Sequence, residues 1–123
     1  MKRLVIALIL LALIFGSSCL SLFFLERDLA EIGSFTARLR EESPSVELEK
    51  ESEELFRLWN EKEKLLVIFV RHDVLDEVTV LMAELPSLAR HREYGHFYSG
   101  LDVILARLDD LLDSARPTYR NLL

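Results

Sequence analysis

The stretch that decides the fold is residues 4–39, LVIALILLALIFGSSCLSLFFLERDLAEIGSFTARL. Its first part, Leu4 to Leu25, carries no charged side chain. About 22 residues at roughly 1.5 Å each make a helix of about 33 Å. A bilayer hydrocarbon core of about 30 Å asks for about 20 apolar residues, so the run fits one transmembrane pass. At Glu26 the pattern changes. Leu25, Leu29, Ile32, Phe35 and Leu39 recur at helical spacing, while Glu26, Arg27, Glu31, Arg38 and Glu41 fill the other positions. The helix therefore continues out of the membrane as a stalk with one apolar stripe, a face that needs a partner. Gly33-Ser34 is a soft spot in it, and Ser43-Pro44-Ser45 ends it.

Three readings of the apolar run compete. An uncleaved signal anchor is preferred: Lys2 and Arg3 form a short basic start, and the run exceeds the length of an ordinary secretory h-region. A cleaved signal, cut near Gly16-Ser17-Ser18, would leave Leu20, Leu22, Phe23, Phe24 and Leu25 at the new amino terminus. A lipoprotein, lipidated at Cys19, would carry Gly16 where a branched aliphatic is usual. A buried helix of a soluble protein is disfavoured, because nothing later in the chain is apolar enough to wrap it. Basic residues lie on both sides of the run. The short basic start leading straight into it favours a cytoplasmic amino terminus and an extracytoplasmic C-terminal domain at the cell membrane.

Beyond the stalk the chain reads as helix throughout, with no sustained period-2 alternation. Ser43 and Pro44 suit the start of a helix running from about residue 44 to 71, with Glu47, Glu49 and Glu51 favourable to its dipole. Its stripe is Leu48, Leu55, Trp59, Leu66 and Phe69. Leu65 to Val70, apolar on every side, is expected to be the most buried part of the outer domain. A third helix, about 73–90, shows Val74, Val78, Leu81, Leu85 and Leu88 in an a/d pattern, with Pro86 expected to kink or shorten it. A joint containing Gly95 follows. A fourth helix, about 96–115, carries Phe97, Leu101, Ile104, Leu108, Leu111 and Ala115, and Arg116-Pro117 stops it. The predicted fold is all-α: a membrane anchor (1–25), a helical stalk (26–43) and an acidic helical domain (44–123). That domain is an antiparallel hairpin extended to three helices, partly tetratricopeptide-like. Trp59, Phe69, Leu81 and Leu108 are placed near its centre. A core of fewer than about 80 residues rarely contributes more than about 3–5 kcal/mol, which favours packing against a partner.

Charge narrows the function. All 21 acidic side chains but only 13 of the 15 basic ones follow residue 25, a net charge of −8 there. Nucleic-acid phosphates and anionic headgroups both demand clustered Lys and Arg, so neither is the expected partner of this domain. The single cysteine, Cys19, lies in the apolar run, which leaves no disulfide framework and no cysteine metal site.

Trp59, the turn Phe69-Val70-Arg71-His72-Asp73 followed by Leu75-Asp76-Glu77, and the closing Asn121-Leu122-Leu123 form a recurrent set. On these residues the chain resembles, over essentially its whole length, the bacterial membrane proteins grouped as domain of unknown function 4363. The family's hairpin turn differs from Tyr94-Gly95-His96-Phe97-Tyr98 here, and Pro86 is atypical of it. The resemblance implies a bacterial membrane location and a helical fold, and it brings no activity with it.

Candidate chemistry is sparse. His72 and Asp76 are four apart and could share a helix face as cation ligands, with Asp73 and Glu77 beside them. A helix start with acids near its dipole is the more ordinary account. His91 and His96 flank a turn. Glu47, Glu49, Glu51, Glu53 and Glu54 form an acidic run without a shaped calcium loop, and the ordinary reading is a solvated face. Tyr94, Phe97 and Tyr98 could line a groove, though filling the hairpin end suits them better. No nucleophile–base pair, phosphate loop or HExxH pattern is present. No catalytic, cofactor or metal residue is therefore assigned. The expected function is a non-catalytic, membrane-anchored helical protein that binds another protein, or itself, at the cell envelope. The alternative is a small extracytoplasmic sensor or cation-binding module.

Overall fold

The computed structural model describes residues 1–70 and 72–115. Four helices follow in order: α1 Lys2–Glu41, α2 Glu47–Phe69, α3 His72–Arg90 and α4 Tyr94–Ala115, with no strand among the described residues. The fold is all-α, as the periodicity predicts. The first helix is long and apolar enough to cross a membrane.

α1 is one 40-residue helix whose two halves have different surroundings. Every residue from Met1 to Leu20 is exposed. From Leu25 onward one face is buried, through Leu25, Leu29, Ile32, Thr36 and Leu39. This is the stripe the sequence leaves without a partner, and the rest of the chain supplies the cover: α1 packs on α2 and on α4. α2 packs on α3 and α3 on α4, so the helices close into a ring. The second half of α1 is thus the fourth member of an antiparallel bundle rather than a free stalk.

Each seam of the ring carries an ion pair. Lys62 Nζ lies 3.2 Å from Asp28 Oδ1 between α2 and α1. Arg90 Nε meets Glu49 Oε1 at 2.7 Å between α3 and α2. Arg107 Nε meets Glu77 Oε2 at 3.0 Å between α4 and α3, and Arg40 Nε meets Asp102 Oδ1 at 2.7 Å between α1 and α4. Exposed pairs of this kind contribute about 0–1 kcal/mol each, so their main role here is to mark register.

Apolar burial holds the bundle. Trp59 and Phe97 are the largest fully buried side chains. Trp59 Nε1 donates to Thr79 Oγ1 at 2.8 Å, and that hydroxyl donates in turn to the Leu75 carbonyl at 2.9 Å. The indole is buried without stranding its N–H. Two hydroxyls enter the core the same way: Thr36 Oγ1 donates to the Ile32 carbonyl and Ser52 Oγ to the Glu49 carbonyl, each at 2.8 Å. Leu108 is buried as expected, Leu81 only partly. The side chains of residues 68 and 69 lie outside those described.

Several boundaries differ from the sequence reading. α2 begins at Glu47, capped by Val46 with no side-chain hydrogen bond, so Ser43 is not its N-cap. α1 runs on to Glu41 because Leu39 is held in the core, and crossing to α2 takes the non-helical residues 42–46. α3 continues through Pro86 to Arg90, with Leu85 and Ala89 buried on either side of it. Its buried stripe is Leu75, Val78, Met82, Leu85 and Ala89, rotated from the expected one, while Val74, Leu81 and Leu88 flank it. The α3–α4 joint is made without glycine. Arg92 takes φ 59°, the Glu93 N–H reaches the Leu88 carbonyl at 2.9 Å, and the Arg92 N–H reaches the Ala89 carbonyl at 3.2 Å. This is a Schellman ending with Arg at the left-handed position. Gly95 sits inside α4. Finally, the run from Leu65 to Val70 is not the deepest part of the fold. Leu66 is fully buried, but Leu65 is 57% exposed. Arg71, the Arg116-Pro117 stop and the Asn121-Leu122-Leu123 ending lie outside the described residues.

Candidate functional site

The apolar half of α1 dominates the surface. Leu4, Ile9, Leu13, Phe15 and Leu20 are all more than half exposed, and none of the described residues covers them. Water would penalise such a surface at about 25 cal/mol per Å² of apolar area, so the segment is built for an apolar phase.

The polar candidates are placed mostly by structure. His72, Asp73, Asp76 and Glu77 sit on the exposed first turns of α3, but Glu77 is taken by Arg107 across the α3–α4 seam. His91 Nδ1 lies 2.8 Å from the Ser87 carbonyl, which ties it to its own helix end. His96 stands exposed on the next helix. Among the described residues, no group of three or more His, Cys, Asp or Glu side chains gathers to hold a metal ion.

The aromatic end is a staple between helices. Phe97 is fully buried. The Tyr98 hydroxyl donates to the Glu42 carbonyl at 2.5 Å, and the Arg40 guanidinium lies 5.2 Å from its ring centroid. Burial pushes the Tyr98 hydroxyl pKa up, against the lowering effect of Arg40. These contacts fix the 42–46 crossing to α4.

Within the acidic run one side chain stands apart. Glu51 has an oxygen, Oε2, that is buried without a hydrogen-bond partner. Its pKa is pushed up to about 7, first by a shared hydrogen bond with Glu42, then by burial and by the negative charge of Glu42 and Glu47; Arg38 opposes. Two carboxylates side by side hold a proton between them more readily than two negative charges. The sequence reading included Glu51 but not Glu42, because the pair forms only when α1 and α2 fold together. Glu31, Phe35, Glu54, Arg57, Leu58 and Glu61 line an open groove along this α1–α2 seam.

On the opposite side of the bundle two exposed aliphatic side chains stand among charged ones. Val80 is 56% and Val103 36% exposed. Val80 lies three residues after Glu77 and Val103 four before Arg107, the pair that bridges α3 and α4. Residues so spaced share a helix face, which puts both valines on the outer α3–α4 seam. Ser99 is exposed and uncharged on α4 as well. The signal in the sequence was an apolar residue off the stripe: Val80 fits neither the expected register of α3 nor the observed one. No protein-family model, curated protein or solved structure was found to match the chain.

Proposed function

We propose that this chain is a non-catalytic, single-pass membrane protein whose extracytoplasmic bundle docks another protein, or a second copy of itself, at the bacterial cell envelope. The observation that carries the reading is the exposed Val80–Val103 strip. It is aliphatic and uncharged on a domain of net charge −8, and an apolar strip rimmed by charge suits a docking face. The anchor supports it: α1 passes without a break from the exposed apolar half into the bundle core, so the strip is held at a fixed place relative to the membrane. A non-catalytic role is supported by where the interior hydroxyls go, since Thr36 and Ser52 both bond to their own helices. Lys2 and Arg3 favour the cytoplasmic amino terminus, and the resemblance to the domain of unknown function 4363 proteins agrees with an envelope location.

The test is a photo-crosslinking residue placed at Val80 in the full-length chain, expressed in membranes, with Val46 as an exposed control at the far end of the bundle. A discrete protein adduct at position 80 that disappears with Val103→Asp is the expected result. Absence of any adduct, with a monomer in mild detergent, overturns the reading.

A further inference from the structure

The α3–α4 register is marked twice. Glu77 meets Arg107, and a Cβ on Gly100 would lie 3.5 Å from Leu85 Cδ2. Both marks set Val80 level with about residue 104, so Val80 and Val103 stand within about 2 Å of one height. The α1–α4 register gives that height. The Arg40–Asp102 ion pair and the Tyr98–Glu42 hydrogen bond set Val103 level with residues 37–39 of α1. That is roughly 16–20 Å along the helix beyond Glu26, the first charged residue after the apolar run. A headgroup layer is only about 5–8 Å deep, so lipid does not reach the two valines.

The core makes no use of Val80, which stands on the side of α3 opposite the stripe Leu75, Val78, Met82, Leu85 and Ala89. Its neighbours are acids. Asp76 and Glu77 lie one turn before it and Glu84 one turn after it, all exposed. Arg107, one turn after Val103, is the base beside them, and Glu77 and Asp110 already share it. Asp76 and Glu84 have no ion-pair partner among the described residues. The two valines therefore sit in a surplus of three negative charges.

That surplus selects against a second copy. Two copies held in one bilayer point the same way. They can meet face to face only about an axis normal to the membrane, which sets α3 of one against α4 of the other at equal height. Asp76 then comes opposite Asp109 and Asp110 of the second copy, and the symmetry repeats the clash. Like charges so placed work against the contact, whereas basic ones would complete it.

We infer that the Val80–Val103 face takes a different protein, one that presents an apolar side chain ringed by Lys or Arg. The inference rests on the docking reading proposed above and names the chemistry of the partner.

The experiment uses the purified full-length chain in an uncharged maltoside detergent, with a photo-crosslinking residue at position 80. The same residue at position 46, exposed beside Glu47, is the control for charge alone. The probes are two alanine-based helical peptides, each with one pair of leucines, flanked by lysines in one and by glutamates in the other. The lysine peptide is expected to link at 80 and not at 46. Near-molar salt, or Asp76→Asn with Glu84→Gln, should cut that yield about tenfold. Both substitutions are at exposed positions, and Trp59 emission checks folding. Equal linking by the two peptides, equal linking at 46, or a yield indifferent to salt and to the double substitution overturns the inference. The second arm is the chain in its membranes. The expected adduct there joins a different protein through a segment with Lys or Arg within a turn of the link, and is lost in salt. An adduct of twice the chain's mass overturns the inference and leaves the docking reading standing. No adduct in membranes overturns both.

Discussion

Replacing Glu51 by Gln should make the protein more stable at alkaline pH and leave it unchanged in acid. In the folded chain the Glu51 carboxyl titrates at about 7, against 4.5 for the ordinary carboxyl, because Glu42 shares its proton and Glu47 adds negative charge. The folded state therefore holds a proton that the unfolded chain has released throughout the interval between about 4.5 and 7. Stability falls as pH rises through that window and levels off above it. At about 1.4 kcal/mol per pH unit the full difference would be about 3.5 kcal/mol. The Glu51 side chain is only partly buried, and solvent screens it, so the realistic cost is about 1 kcal/mol. Gln keeps an N–H donor for Glu42 and carries no charge at any pH. Urea unfolding of the full-length chain in detergent, followed by the single tryptophan, should give Glu51→Gln a gain of about 1 kcal/mol at pH 8 and none at pH 4.5. Glu54→Gln, at an exposed position one turn on, should show no such pH dependence. A gain that is the same at both pH values, or a loss at pH 8, would refute the shared-proton account.

Arg92→Gly should stabilise the bundle by about 0.5–1 kcal/mol, since the residue holds a left-handed backbone that costs an L side chain roughly that much; the same urea titration reads it, and a loss would mean the Arg92 side chain matters more than its backbone. Ile32→Ala should cost about 2–5 kcal/mol, because Ile32 is fully enclosed between helices. A silent Ile32→Ala would mean that the second half of α1 stands outside the bundle.

Periodicity reads faces well and coverage poorly, and the residues show why. Phe97, Leu101, Ile104, Leu108 and Leu111 were all marked as the inner face of α4, and all are buried. The stripe of α1 was equally legible, but a stripe does not say whether its cover comes from the same chain. That depends on α2 and α4 meeting it, a long-range event. α3 differs by a fraction of a turn: Val78 and Leu85 belong to both stripes, and Val74, Leu81 and Leu88 give way to Leu75, Met82 and Ala89, because α2 and α4 flank it on two sides. Val74 and Leu75 then both fall within its apolar arc, and the sequence offers no means to choose the centre. Thr36 and Ser52 lie outside the apolar pattern yet are buried, because each hydroxyl finds an acceptor in its own helix. Arg92 escaped because left-handed helix ends are usually announced by glycine, and Gly95 stood near enough to draw the joint to itself. Of the apolar run Leu65–Val70, Leu66 and Val70 are buried and Leu65 is open: uniform apolarity signals removal from water without saying which side chains the fold covers.

That ambiguity bears on how the bundle is held. Residues 4–25 are uncharged on every side, so a bilayer around them would fix their depth and be indifferent to their rotation. A bundle attached by such a helix alone would have a set height and a free azimuth. α3 sits across the ring from α1, packed on α2 and α4, so the α3–α4 seam faces away from the anchor. A simple tether could join the membrane to the bundle through a loop. This chain instead keeps one helical register from Leu25 through Leu39 in the core, and each added residue between Phe24 and Leu25 would turn the bundle by about 100° against the span. On the docking reading proposed above, this rigidity sets the direction in which Val80 and Val103 point.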